Sequence, residues 1–185
     1  MENQDENIKK FNLRNYYNEN KKIFVSFLIL VIVSTILIIG VREYYSKVNK
    51  DISNEFNKAK ILIQKNNSIE AAKILGKIIE KNNSFYSPSA LNLIIENNLI
   101  KDKEQILSYF DEVISETDLD TDIRDLFIFK KIIFLGDEID ENEMLTNLKP
   151  IIQSNSPWKR TVSDYIRKYY RSKNEFNKAK EFENQ

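Results

Sequence analysis

Nineteen consecutive residues, Ile23 to Val41, carry no charge: IFVSFLILVIVSTILIIGV. At about 1.5 Å per residue a helix of this length rises roughly 28 Å, close to the hydrocarbon thickness of a bilayer. Ser26, Ser34 and Thr35 are tolerable in such a setting, because a hydroxyl can return its hydrogen bond to the helix backbone. A buried helix of a water-soluble protein is the competing explanation, but such helices rarely run this far without a charged group. A cleaved signal peptide fits poorly. The apolar run exceeds a typical h-region, 22 residues precede it, and no small-x-small site follows it. We therefore expect a short cytoplasmic tail at 1–22, a transmembrane signal anchor at 23–41 and a helical domain at 42–185.

Orientation rests on flanking charge. Lys21 and Lys22 abut the N-terminal end of the run, and Arg42, Lys47 and Lys50 follow its C-terminal end. Counted over the nearest residues the N-terminal side leads, which favours a cytoplasmic N-terminus and a domain across the membrane. Tyr44 and Tyr45 suit the outer interface as an aromatic belt.

Composition narrows the function classes. Lys and Arg number 28, and so do Asp and Glu. The balance is also local, with five basic and four acidic residues in 1–22 and 23 basic and 24 acidic ones in 42–185. No broad field draws the chain onto nucleic acid, so no nucleic-acid partner is expected. His and Cys are absent, which removes thiol nucleophiles, disulfides, His-based triads and zinc sites built on either residue. The only glycines, Gly40, Gly76 and Gly136, are too scattered for a phosphate-cradling loop. The chain is accordingly expected to be no enzyme, with no cofactor and no small-molecule substrate. Carboxylate chemistry is the one enzymatic alternative left. Its candidates are Asp118, Asp120, Asp122 and Asp125, whose plainer explanation is a solvated loop and an acidic helix start. Glu138, Asp140, Glu141 and Glu143 invite calcium, but EF-hand spacing and its turn glycine are missing. The abundance of Asn, Lys and Ile, all with AT-rich codons, is read as genomic drift.

Beyond the anchor, apolar residues recur at helical spacing. Eight stripes follow one another: Ile52, Phe56, Ala59, Ile63; Ile69, Ala72, Leu75, Gly76, Ile79; Leu91, Ile94, Ile95; Ile106, Phe110, Val113, Ile114; Ile123, Leu126, Phe127, Ile133, Phe134; Leu145, Leu148, Ile151, Ile152; Trp158, Val162, Tyr165, Ile166, Tyr169; and Phe176, Ala179, Phe182. Caps separate them. Asn66-Asn67-Ser68 supplies a turn and a cap, Ser87-Pro88 and Ser156-Pro157 place a cap before a proline, and Asp120 with Thr121 can cap the fifth helix. Gly136 is free to end that helix in the left-handed conformation. Pro150 is expected to kink or shorten the sixth. The odd-numbered helices are expected to begin near 52, 87, 121 and 157, an interval of about 35 residues, close to the ~34-residue tetratricopeptide period. An all-α fold follows, in which about four stacked hairpins form a tetratricopeptide-like solenoid; accidental spacing in a plain bundle is the alternative. The heptamer Asn-Glu-Phe-Asn-Lys-Ala-Lys at 54–60 and 174–180 is read as coincidence, because one copy lies in a first helix while the other spans a turn.

The whole layout resembles the bacterial tetratricopeptide-like family of ancillary Sec-translocon subunits. Asn67 to Ala72 looks like the turn and small pair opening a second helix, and Phe85 to Ala90 like the entry to the next hairpin. Arg124-Asp125-Leu126 and Asn155-Ser156-Pro157-Trp158-Lys159 are similar to further family segments, the latter to Asn-Pro-Trp-Arg. Positions that the family usually fills with Ala are here Ile, Asn or Lys. The resemblance implies an inner-membrane protein whose periplasmic domain associates with the Sec translocon and links secreted clients to periplasmic chaperones. A scaffold for another envelope assembly machine would use the same fold. For a partner surface the sequence offers Trp158, Tyr165 and Tyr169, with Tyr170 beside them, although such a stripe is more often core with one exposed edge. Lys159, Arg160, Arg167, Lys168 and Arg171 form a solvated face, or meet anionic lipid or an acidic partner.

Overall fold

The computed structural model describes residues 20–183. Among them are eight α-helices and no strand: α1 (Lys21–Gln64), α2 (Ser68–Ile79), α3 (Tyr86–Glu96), α4 (Lys103–Asp111), α5 (Thr121–Leu135), α6 (Glu141–Gln153), α7 (Lys159–Ser172) and α8 (Phe176–Lys180). A π-helical segment, Glu112–Glu116, prolongs α4, and a 3-10 turn, Gly136–Glu138, follows α5. The all-helical expectation holds. The start expected near 52 is absent, because α1 runs unbroken from Lys21. No proline or glycine lies between Val41 and Ile52 to stop it.

The chain divides into two compact units, residues 1–50 and 51–185. In the first, the side chains from Ile23 to Val41 are exposed, and the stretch is the one place among the described residues long and apolar enough to cross a membrane. Ser34 and Thr35 donate their hydroxyls to the carbonyls of Leu30 and Val31, both at 2.8 Å, so neither leaves a polar group unpaired.

The second unit is built by helices that pack on their neighbours in the sequence, α2 on α3, α3 on α4, and so on to α7 on α8. The 51–64 part of α1 buries Ile52 and Ala59. In α2 the inward face is Ala71, Ile74, Leu75 and Ile78, the i, i+3, i+4, i+7 pattern of a helix side. Ile69 lies two residues before Ala71, on the far side of the helix, and is 85% exposed, so it leaves the core stripe expected of it. Phe176 does likewise in the first turn of α8, at 58% exposure. The C-terminal helices close around Phe129, Ile132, Met144, Leu148, Ile166 and Tyr170.

Helix starts follow cap chemistry, with one correction. Asn67 accepts the amide of Glu70, Asp102 those of Glu104 and Gln105, and Asp140 those of Asn142 and Glu143. Ser87 does not cap α3. The Asn83 side-chain oxygen takes the amides of Phe85 and Tyr86, so α3 begins earlier, and Pro88 falls inside its first turn, where a missing N–H costs nothing. The Ser87 hydroxyl turns inward instead, donating to the carbonyls of Ile78 and Ile79 at 3.0 and 3.2 Å and accepting the Asn83 amide at 2.9 Å. It thereby adds a second donor to carbonyls that the amides of Lys81 and Asn82 also bond. Ser156 behaves closer to expectation, its hydroxyl accepting the amide of Trp158.

Helix ends hold the larger surprise. Asn66, Asn82, Asn98 and Asn174 all take positive φ, between 50° and 61°. At Asn66 the amide returns to Ile63 and the next amide to Leu62; Asn98 and Asn174 repeat the pattern on Ile95 with Ile94 and on Arg171 with Tyr170. These are Schellman ends, in which asparagine occupies the left-handed position that glycine usually takes. Gly136 takes positive φ too, but with ψ at −127°, a region reserved for glycine, and a 3-10 turn follows. Pro150 does not shorten α6, which continues helical to Gln153.

Candidate functional site

The residues expected to present a partner surface lie on the C-terminal core. Trp158, Tyr165 and Tyr169 are all half-buried against it. The Trp158 indole N–H donates to the Asp122 carbonyl at 2.8 Å, tying the start of α7 to the start of α5. Tyr165 meets Phe129 edge to face at 5.4 Å, and burial pushes its hydroxyl pKa up. Tyr169 packs against Tyr170, and Lys173 both bonds its hydroxyl and lies 4.3 Å from its ring centroid. Tyr170 is itself buried, and its hydroxyl donates to Glu141 at 2.9 Å. Arg167 pairs with Asp164 and Arg171 with Glu183, which spends two members of the expected basic face on local ion pairs.

The open apolar surface of this unit lies elsewhere. α3 and α5 leave a groove between them, of about 600 Å3, bounded by Phe85, Pro88 and Ser89 on one side and by Ile123, Leu126 and Phe127 on the other. Asn92 lies at its end and also borders a second, smaller cleft of about 200 Å3 between the same helices, reaching Ile133 and Phe134. Lys130 donates to Asn92 at 2.7 Å and sits 5.3 Å from the Phe127 ring, so a fixed polar bridge stands where the two clefts meet. Phe85, Ile123 and Ile133 are 67%, 38% and 49% exposed. Three of the large exposed apolar side chains of the unit thus share one valley, while Ile61, Ile69 and Phe176 do not border it.

The local sequence explains why α5 supplies this wall. Thr121–Leu135 holds the run Leu126-Phe127-Ile128-Phe129 and the pair Ile132-Ile133, more apolar residues than one helix face can bury. Phe127, Phe129 and Ile132 go to the core, and Ile123 and Ile133 are left outside. That excess width was the signal available in the sequence. Counting Ile123, Leu126, Phe127, Ile133 and Phe134 as one core stripe concealed it, and left out Phe129 and Ile132.

The acidic residues separate by role. Asp118 and Asp120 border the groove, while Asp122 serves α7 through its carbonyl alone. Of the calcium candidates, Asp140 caps α6, Glu138 pairs with Lys103 at 2.6 Å, and Glu141 binds Tyr170 and Lys178. The Lys178 ammonium and then the Tyr170 hydroxyl hold the Glu141 carboxyl below its usual pKa.

Compared with family models, curated proteins and solved structures, the chain matches none.

Proposed function

We propose that this is a membrane-anchored, non-enzymatic interaction protein whose α3–α5 groove holds an apolar segment of a partner chain. The exposed valley of Phe85, Ile123 and Ile133 is the observation that carries the proposal, since exposed apolar patches of this kind favour protein contacts. A tetratricopeptide-like arrangement is proposed with it. It is supported by the starts of α3, α5 and α7 at Tyr86, Thr121 and Lys159, and by packing between sequence neighbours. In that arrangement α3 and α5 are the first helices of successive hairpins, and their shared face lines the groove.

Residues 23–41 serve as the anchor, with the N-terminus cytoplasmic and the helical unit on the opposite side. The uncharged stretch and the flanking Lys21 and Lys22 support this orientation. Tethering would raise the local concentration of the groove near chains emerging through the membrane. Combined with the resemblance to ancillary Sec-translocon subunits, this makes the inner membrane the proposed location. The Sec translocon, periplasmic chaperones and secreted clients are the proposed partners.

Photocrosslinking in cells tests the proposal. A photoreactive side chain at position 85 or 123 is expected to capture a protein partner, while one at the still more exposed position 69 is not. Equal capture at all three positions would count against the groove. Capture of a component of another envelope machine would make the protein a scaffold for that machine. A reporter active only after export, fused behind Gln185, checks the orientation independently.

A further inference from the structure

Resting on the groove reading above, we propose that the α3–α5 groove selects segments in which apolar side chains stand beside Lys or Arg. The selectivity comes from the loop between the π-helical segment and α5. Thr117 leaves that segment with ψ of 134°, and Asp120 enters α5 with ψ of 145°, so both ends of the loop are extended. Side chains alternate along it: Thr117 and Leu119 are buried, Asp118 and Asp120 exposed. Burial of Thr117 and Leu119 holds the loop, and Asp118, Leu119 and Asp120 all border the groove.

Among the described residues neither carboxylate is held by a cap bond or an ion pair. Asp102 and Asp140, at the N-caps of α4 and α6, each accept two backbone amides, but Asp120 at the N-cap of α5 makes no side-chain cap bond. Among the described residues neither Asp118 nor Asp120 has an ion-pair partner, whereas acids elsewhere in the unit such as Glu55, Asp111 and Glu138 each hold a lysine. Lys130, the one cation among the described residues that borders either cleft, is committed to Asn92 and the Phe127 ring. Two negative charges beside an apolar floor attract a cation more strongly than they would in open water, and repel an acidic segment. The occupant that satisfies both features carries apolar side chains for Phe85 and Ile123 and a basic group for the two aspartates.

The test uses the full chain in detergent micelles and three short fluorescent peptides. All share one Leu-Ser alternation, and they end in Arg-Arg, Ser-Ser or Glu-Glu. Anisotropy is expected to show the Arg-Arg peptide binding about tenfold more tightly than Ser-Ser, with Glu-Glu weakest, and the gap closing in high salt. The double variant Asp118→Asn with Asp120→Asn should bring Arg-Arg to the Ser-Ser level without moving Ser-Ser. Both substitutions are nearly isosteric and touch no cap bond, so folding is preserved. Equal affinities for all three peptides, each lost in Phe85→Ser, would overturn the charge selectivity and leave the groove standing. Binding of none would overturn the groove itself. A dimer that dissociates in Phe85→Ser would assign the valley to a second copy of the chain and overturn the peptide occupant.

Discussion

Two sets of aromatic and aliphatic side chains stand at the surface of the helical unit, and they differ in what they already touch. Along α7, Trp158, Tyr165 and Tyr169 have partners: a carbonyl for the indole, Phe129 for one ring, Tyr170 and Lys173 for the other. Along α3 and α5, Phe85, Ile123 and Ile133 leave large parts of their surface to solvent. A side chain that has already satisfied its apolar body and its polar tip gains little from a ligand, while one that keeps apolar surface open gains about 25 cal/mol for each Å2 of it that a ligand covers. The comparison therefore directs attention from the richer aromatic cluster to the poorer, emptier groove.

The comparison can be broken by mutation. Ile166→Ala, which opens a cavity in the C-terminal core, is expected to cost about 2–5 kcal/mol. Trp158, the only tryptophan, packs on that core and reports its melting by fluorescence. Ser87→Ala should cost about 1–2 kcal/mol, because it removes a buried hydroxyl that accepts the Asn83 amide and adds a second donor to two α2 carbonyls. Denaturant titration followed by circular dichroism measures that loss. Tyr170→Phe should cost about 1 kcal/mol by releasing Glu141, and the same assay checks it. Phe85→Ser, by contrast, is expected to move stability by less than about 0.5 kcal/mol while abolishing partner capture. A loss comparable to that of Ile166→Ala would mean that the groove is part of the core after all.

A smaller effect sharpens the comparison through pH. The carboxyl of Glu141 is held low, so its contribution is present above the ordinary carboxylate pKa and fades as pH falls through its lowered value. Burial, then the bond to Glu141, pushes the Tyr170 hydroxyl up to about 12; its share is present below the ordinary tyrosine pKa of about 10 and fades as pH rises towards the shifted value. The clasp of α6, α7 and α8 is thus whole across neutral pH. Glu141→Gln should flatten the acid limb of a stability profile while leaving peptide binding at neutral pH unchanged. A peptide-binding loss in this variant would link the two regions that the comparison separates.

Much of this architecture was legible in the sequence because helices write their buried faces at a fixed period. Leu75, Leu91, Phe110, Leu148 and Ile166 all go inside as their spacing requires. The misses have separate physical causes. Ile69 and Phe176 are apolar residues at helix starts, where periodicity alone does not reveal that the core has already ended. α1 runs through the start expected near 52 because neither proline nor glycine interrupts it there. Attributing the asparagines to codon bias hid their work. Positions 66, 82 and 98 recur every sixteen residues, each at a left-handed helix end, in a chain with almost no glycine for the purpose. The groove escaped notice because it is a gap between two helices that lie apart in sequence, and no single stripe describes a gap.

The restriction of helix packing to sequence neighbours has a kinetic consequence. Even the farther-reaching side-chain bonds, Lys130 to Asn92 and Lys178 to Glu141, join residues only 38 and 37 apart. Loop-closure entropy is therefore small at every step, which places the helical unit among fast-folding topologies. Each helix from α2 to α8 finds its main helix partner in an immediate neighbour along the chain. A nascent chain can accordingly begin to consolidate from its N-terminal end, leaving little time for unpaired apolar faces to meet another molecule.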